Sequence, residues 1–214
     1  MIRAFLQLAA WCAAFWLAVW LHARREPRRR ARVRFALALG LGALLARIGH
    51  NVFFGGAGRM LDLREGFSVL FLPIGVLALE PSPAAFSALP LALAVARLGC
   101  LVAGCCRGVG GEPLPLVEAS VLALLPPILS RGAPEDHVGR FTFAFGGLRL
   151  LESPWRPPVP GGAVATPELV ALGWIGVGAL LLGLRRCRRL VTKLWRLKHA
   201  SEPPGGPHST QAVT

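Results

Sequence analysis

The stretch AFLQLAAWCAAFWLAVWLHARREPRRRARVR, residues 4–34, decides the fold. Residues 4–21 form an apolar run close to the roughly 20 residues a helix needs to cross hydrocarbon. Seven arginines crowd the block 24–34 that follows, and Lys and Arg beside an apolar run mark its cytoplasmic end. A cleaved signal peptide also begins with a basic residue and an apolar core, and Leu21-His22-Ala23 imitates a cleavage site. The apolar run is too long for such a core, however, and the arginines would block export. The stretch reads as a retained first span.

The rest of the chain repeats the pattern. Of 214 residues 54% are hydrophobic and 16% charged, against about 25% charged in a soluble domain. The mean hydropathy is +0.54. Apolar spans fall at 4–21, 35–54, 67–79, 86–103, 114–129, 138–151 and 167–184, several of them shorter than a full crossing. A second basic block, RRCRRLVTKLWRLK at 185–198, follows the last span. An odd number of spans puts both blocks on the cytoplasmic side and the N-terminus outside. The expected fold is therefore all-α: a polytopic membrane bundle of about seven helices over 1–200, followed by a polar, Pro/Gly-rich disordered tail at 201–214.

The net charge of +13 gathers largely in these two blocks rather than over a face, which argues against nucleic acid as a partner and for the lipid bilayer. The turns 80–85 and 130–137 are expected inside. Segments 47–64, 107–112 and 153–165 are expected outside.

Within this frame Arg47, Arg97, Glu118, Arg149 and Glu152 lie in or at the ends of spans, all towards the outer half. Ionisable residues at membrane depth face a protein interior or a cavity. One Arg–Glu pair would be explained by helix cohesion. Three arginines and two glutamates on one side point to a polar cavity with surplus positive charge, suited to an anionic head group such as a phosphate.

The cysteines weigh differently. Cys100, Cys105 and Cys106 have C-x4-C-C spacing, which matches no common zinc pattern, so no metal is expected. They are either small packing groups beside Gly99 and Gly104 or, facing an oxidising compartment, a disulfide from Cys100 to Cys105 or Cys106. His50 alone among the histidines falls on the outer side, as a base or as an interfacial residue.

These residues sit in recognisable blocks. ARLGCLVAGCCRG (96–108) resembles the signature of bacterial prolipoprotein diacylglyceryl transferases, roughly G-R-[IL]-G-[NC]-F-x-x-G, and especially the divergent branch with R-[IL]-G-C-F-x-A-G-C-C-Y-G. EPLPLVEA (112–119) is similar to H-P-x-Q-L-Y-E-A, FGGLRLLESPWR (145–156) to Y-G-x-x-R-F-x-x-E-x-x-R, and GALLARIGHNVFF (42–54) to G-A-R-x-x-Y-V-L-F. The resemblance spans most of 5–185, and the central cysteine block is its specific part.

It implies a bacterial inner-membrane transferase, needing no cofactor, with its site towards the periplasm. Such an enzyme moves the diacylglyceryl group of phosphatidylglycerol to the lipobox cysteine of a prolipoprotein signal peptide, in lipoprotein biosynthesis. By position, Arg149, Glu118 and Glu152 carry over as catalytic residues, although the spacing here is R-x-x-E rather than R-x-x-x-E. Arg97, Gly99, Cys100, Gly104, Arg47 and His50 carry over as substrate contacts, Arg97 at the head group.

The departures are specific. The histidine of the family's third-span H-G-G segment, its usual base, is replaced near Ser68-Val69-Leu70. The chain has no tyrosine, so Val117 and Phe145 stand at the tyrosine positions, and Glu112 stands for the histidine of H-P-x-Q. Two other readings follow: a catalytically impaired phospholipid- or lipoprotein-binding protein on the same scaffold, and a small transporter. Charge confined to one side argues against the transporter.

Overall fold

A computed structural model describes residues 2–50, 71–104, 106, 108–156 and 166–200, with helical side chains described except at 3, 4, 50, 166 and 197–200. Among the described residues every regular element is helical: α1 (Ile2–Arg25), α2 (Arg29–His50), α3 (Leu72–Leu79), α4 (Pro83–Ala103), α5 (Leu114–Ser130), α6 (His137–Glu152) and α7 (Thr166–Ala200). Short 3-10 turns at Pro134–Asp136 and Ser153–Trp155 bracket α6.

Phe5–Arg25, Pro83–Ala103 and Pro167–Arg196 are each long and apolar enough to cross a membrane. Only 17% of the apolar window of α1, and 17% of that of α7, is buried, against 72% for α4. α4 is thus the central helix, while α1 and α7 turn Phe5, Trp16, Trp20, Leu172 and Leu180 outward. Apolar faces of that extent are untenable in water and ordinary against lipid. The chain is a membrane protein.

Glycines set the helix crossings. A Cβ on Gly99 of α4 would collide with Ala10 of α1, and one on Gly75 of α3 would collide with the backbone of α2 at Gly42 and Ala38. On α7, a Cβ on Gly178 would lie 2.6 Å from the Phe143 nitrogen of α6. These close approaches pair α1 with α4, α2 with α3, and α6 with α7, with α5 packed on α4. Small residues at such crossings let backbones approach where no water is available to drive association. The core between them holds an aromatic row. Phe86 meets Phe141 edge-on at 5.4 Å, Phe141 stacks on Phe145 at 5.5 Å, and Phe145 meets Trp174 at 6.4 Å.

Caps place the ends of α4. The Ser82 hydroxyl accepts from the Ala85 amide at 3.2 Å and Pro83 opens the helix. Gly104, at φ 70°, closes it in the left-handed conformation.

Several boundaries differ from those expected. The first helix outlasts the apolar run 4–21: α1 continues to Arg25 and α2 begins at Arg29, so the basic block forms two helix ends joined by a tight turn. α7 runs sixteen residues past 184, to Ala200, and at 1.5 Å per residue is about 52 Å long. Charge ended the apolar span there but not the helix, because Arg, Lys and Leu are good helix formers. Among the described residues, the helical part of the third expected span is the eight residues of α3. Residues 51–70, 157–165 and 201–214 lie outside the described residues, and with them the ends of the second and third expected spans, much of two expected outer segments, Ser68-Val69-Leu70 and the tail.

Candidate functional site: a buried arginine–glutamate network

Four residues remote in sequence meet at one end of the bundle. Arg97 comes from the last turns of α4, Glu118 from the first turns of α5, and Arg149 and Glu152 from the last turn of α6. Glu118 is the hub. Its Oε2 pairs with Arg97 Nε and its Oε1 accepts from Arg149 Nη1 at 2.8 Å. A fifth residue joins: Arg156 Nη2 pairs with Glu118 Oε1 and donates to Glu152 Oε2 at 2.9 Å. Arg149 Nη1 lies 3.5 Å from the same Glu152 oxygen. The side chains of Arg97, Glu118, Arg149 and Glu152 are at most 4% exposed, whereas Arg156 is 29% exposed and forms the mouth of the network.

Three guanidinium groups against two carboxylates leave one positive charge over. The donors are also incompletely used. Arg149 spends Nη1 on the carboxylates, and its guanidinium carbon lies 5.3 Å from the Phe145 ring centroid. Its Nε and Nη2 are buried with no hydrogen-bond partner among the described residues. Those two N–H groups form one edge of the guanidinium fork, the edge that matches two oxygens of a carboxylate or phosphate. Burying such donors unsatisfied costs about 1–3 kcal/mol each, more for a charged group. Glu152 Oε1 is likewise buried without a partner among the described residues.

The surrounding loops hold this end together. Val109 N donates to Trp155 O at 2.9 Å, tying the α4–α5 connection to the segment carrying Arg156. Glu112 accepts from Gly110 N at 2.8 Å and so closes its own loop. Ser153 bonds Glu168, fastening the start of α7 to the end of α6.

The remaining expected residues have other places. Gly99 faces away from the network, against Ala10. Gly104 is the helix cap. Cys100 is buried, with its sulfur 4.0 Å from Arg97 Nη1, and Cys106 is exposed. No disulfide joins Cys100 to Cys106, and Cys105 lies outside the described residues. Arg47 is buried on α2, which packs mainly on α3. His50 ends that helix, and its side chain lies outside the described residues. No group of three His, Cys, Asp or Glu side chains capable of holding a metal occurs among the described residues.

The chain matches no protein-family model, no curated protein and no solved structure. Its chemistry must be argued from the network itself.

A second feature lies on another face of α4. An apolar cavity of about 480 Å³ opens between α1, α2 and α4, lined by Phe5, Trp11, Phe15, Leu89, Leu93 and Ala96 among others. Ala96 is the chain neighbour of Arg97, but no residue of the network lines the cavity.

Arg156 is the member that the sequence did not single out. It closes the 145–156 block, and its i,i+4 spacing from Glu152 was the available signal.

Proposed function

We propose that the chain is a phosphatidylglycerol–prolipoprotein diacylglyceryl transferase-like enzyme of the bacterial inner membrane, with the arginine–glutamate network as its site on the periplasmic side. The observation that carries this reading is the bare, buried N–H edge of Arg149 in a network with positive charge to spare. Two features agree with it. The motif positions that resemble the family, Arg97, Glu118, Arg149 and Glu152, converge in space. The apolar cavity that Ala96 lines, one residue along α4 from Arg97, offers room for an acyl chain.

The reaction makes specific demands on such a site. A lipobox thiol attacks the terminal glycerol carbon of the diacylglyceryl group, the carbon–oxygen bond to phosphate breaks, and glycerol phosphate leaves. The leaving phosphate changes from singly to doubly negative as that bond breaks. Donors placed in advance where charge develops stabilise the transition state more than the ground state. The Arg149 edge supplies two such donors to the phosphate oxygens, and Arg97 adds positive charge. Glu118 anchors all three arginines so that they need not reorganise during the reaction.

The test is transfer of labelled diacylglyceryl from phosphatidylglycerol vesicles to a lipobox peptide, comparing wild type with Arg149→Ala. Transfer by wild type and a loss on the order of 10²–10³-fold in the variant are expected, the magnitude for removing a preorganised oxyanion donor. Absence of wild-type transfer with lipid binding intact overturns the enzyme reading.

That outcome would favour the second reading, a phospholipid-binding protein on the same scaffold. The observation on its side is that no histidine belongs to the network among the described residues, and that Glu112, at the position of the family's H-P-x-Q histidine, bonds its own loop.

A further inference from the structure

Every transfer to a thiol must dispose of the thiol proton, and the network contains one carboxylate oxygen with neither a hydrogen bond nor an ion pair among the described residues. Glu118 is committed: Oε1 faces Arg149 and Arg156, and Oε2 faces Arg97. On Glu152 only Oε2 is engaged, by Arg149 and Arg156. Its Oε1 is buried, unpartnered among the described residues, and belongs to the same end of α6 as the bare Arg149 edge. An acceptor and a pair of donors are thus left open one helical turn apart, which is the arrangement a proton-coupled displacement of phosphate needs.

We propose that Oε1 of Glu152 is the general base, taking the proton of the incoming thiol. This rests on the transferase reading. The S–H bond breaks and its proton passes to Oε1. The sulfur electron pair forms the bond to the terminal glycerol carbon. The carbon–oxygen bond breaks with its electron pair on the departing glycerol phosphate, whose extra negative charge the Arg149 edge receives. Glu152 then returns the proton to solvent past Arg156, the partly exposed member at the mouth. The charged groups facing Glu152 are Arg149 on its own helix, Glu118 from α5, Arg156 from the following turn and, through Glu118, Arg97 from α4. From α7, Glu168 is engaged by Ser153.

The substitution Glu152→Gln keeps the shape and one amide oxygen for Arg156 while removing the proton acceptor. The experiment uses the full-length protein in phosphatidylglycerol vesicles with two peptide substrates, one with cysteine at the lipobox position and one with selenocysteine, whose selenol is already ionised at neutral pH. Glu152→Gln is expected to lose about 10²–10⁴-fold in kcat on the thiol peptide, the usual worth of a positioned base. It should keep near wild-type turnover on the selenol peptide, and its KM for lipid should not move. Equal losses on both peptides, or wild-type rates on both, overturn the assignment. If Glu152→Gln does not fold, Glu152→Asp keeps the charge that the arginines pair with and carries the same comparison. A defect confined to the thiol peptide is expected, and equal behaviour on the two peptides overturns the assignment. A wild-type protein inactive on both peptides refutes the transferase reading itself and is distinguishable from either result.

Discussion

Glu118→Gln removes the carboxylate that three arginines share. In the wild-type network Arg97, Arg149 and Arg156 all contact Glu118, whose side chain is 1% exposed. With the charge gone, Glu152 alone faces three guanidinium groups, and the local surplus rises from one positive charge to two. Arg97 suffers most. Its side chain is 4% exposed and Glu118 is its carboxylate partner. Cys100, 4.0 Å away, is a weak acceptor at best. Removing one partner from a buried pair costs about 3–5 kcal/mol, because an uncompensated buried charge stays behind.

For a chain of this length each kcal/mol moves the thermal midpoint by about 2–4 °C, so Glu118→Gln should lower it by about 10 °C. The assay is thermal unfolding of the purified protein in detergent micelles, followed by helical circular dichroism. The double variant Glu118→Gln/Arg97→Gln removes the stranded cation together with its partner. It should recover part of the loss, with a coupling of about 0.5–3 kcal/mol between the two sites. A midpoint within about 2 °C of wild type, where about 10 °C is expected, would mean that water reaches and screens the network, and the argument from burial would fall.

Three further substitutions and one label probe the rest of the molecule. His22 is fully buried, stacks on Phe35 at 4.3 Å, and has both ring nitrogens without a partner among the described residues. His22→Phe keeps the stacking and removes the unsatisfied atoms, so it should stabilise by about 1 kcal/mol in the same melt, and destabilisation would show that the nitrogens are satisfied. Gly178→Ala places a methyl 2.6 Å from Phe143 N and 2.7 Å from Gly139 O, which should cost about 1–3 kcal/mol, whereas Gly176→Ala, with nothing within 4 Å, should be neutral or stabilising; similar effects at both positions would refute the α6–α7 crossing. For the orientation, exposed Cys187 should react in intact cells with a membrane-permeant maleimide and not with an impermeant one, and labelling by the impermeant reagent would invert the proposed topology.

The sequence exposes ionic positions more readily than it exposes helix ends. Arg97, Glu118, Arg149 and Glu152 stood out because a charge inside an apolar run has to be paired or lead to a cavity. Arg156 did not, since it follows the apolar run beside prolines, where an arginine is unremarkable. Gly99 carried over as a substrate contact from the motif that it shares with Arg97, two residues before it. At 100° per residue two positions are about 200° apart around a helix, so when Arg97 faces α5, Gly99 must face elsewhere, and it meets α1. The far end of α7 was hidden for another reason. Hydropathy reports the solvent a segment prefers, and Arg185 to Ala200 stays helical after leaving the apolar environment.

Stability does not account for the network's composition. A buried ionic cluster is on average no more stable than apolar residues of the same volume, and an arrangement selected only to hold helices together would be balanced and fully bonded. The opposite end of the bundle has pairs of that ordinary kind. Arg34 bonds Leu79 O at 2.9 Å and pairs with Glu80 at 3.2 Å, and Arg189 reaches Glu135 at 2.6 Å and both oxygens of Asp136 at 3.1 Å. Both arginines there are at least half exposed, so water can reach the donors they leave open, although Glu80 Oε2 is itself buried without a hydrogen bond among the described residues. At the Arg97–Glu118–Arg149 end the arginines outnumber the carboxylates, and the open donors on Arg149 and open acceptor on Glu152 are buried. Open buried groups raise the free energy of the resting protein, and a ligand that satisfied them would lower it. That difference between the two ends is why the proposed transferase site is put at the Arg97–Glu118–Arg149 end.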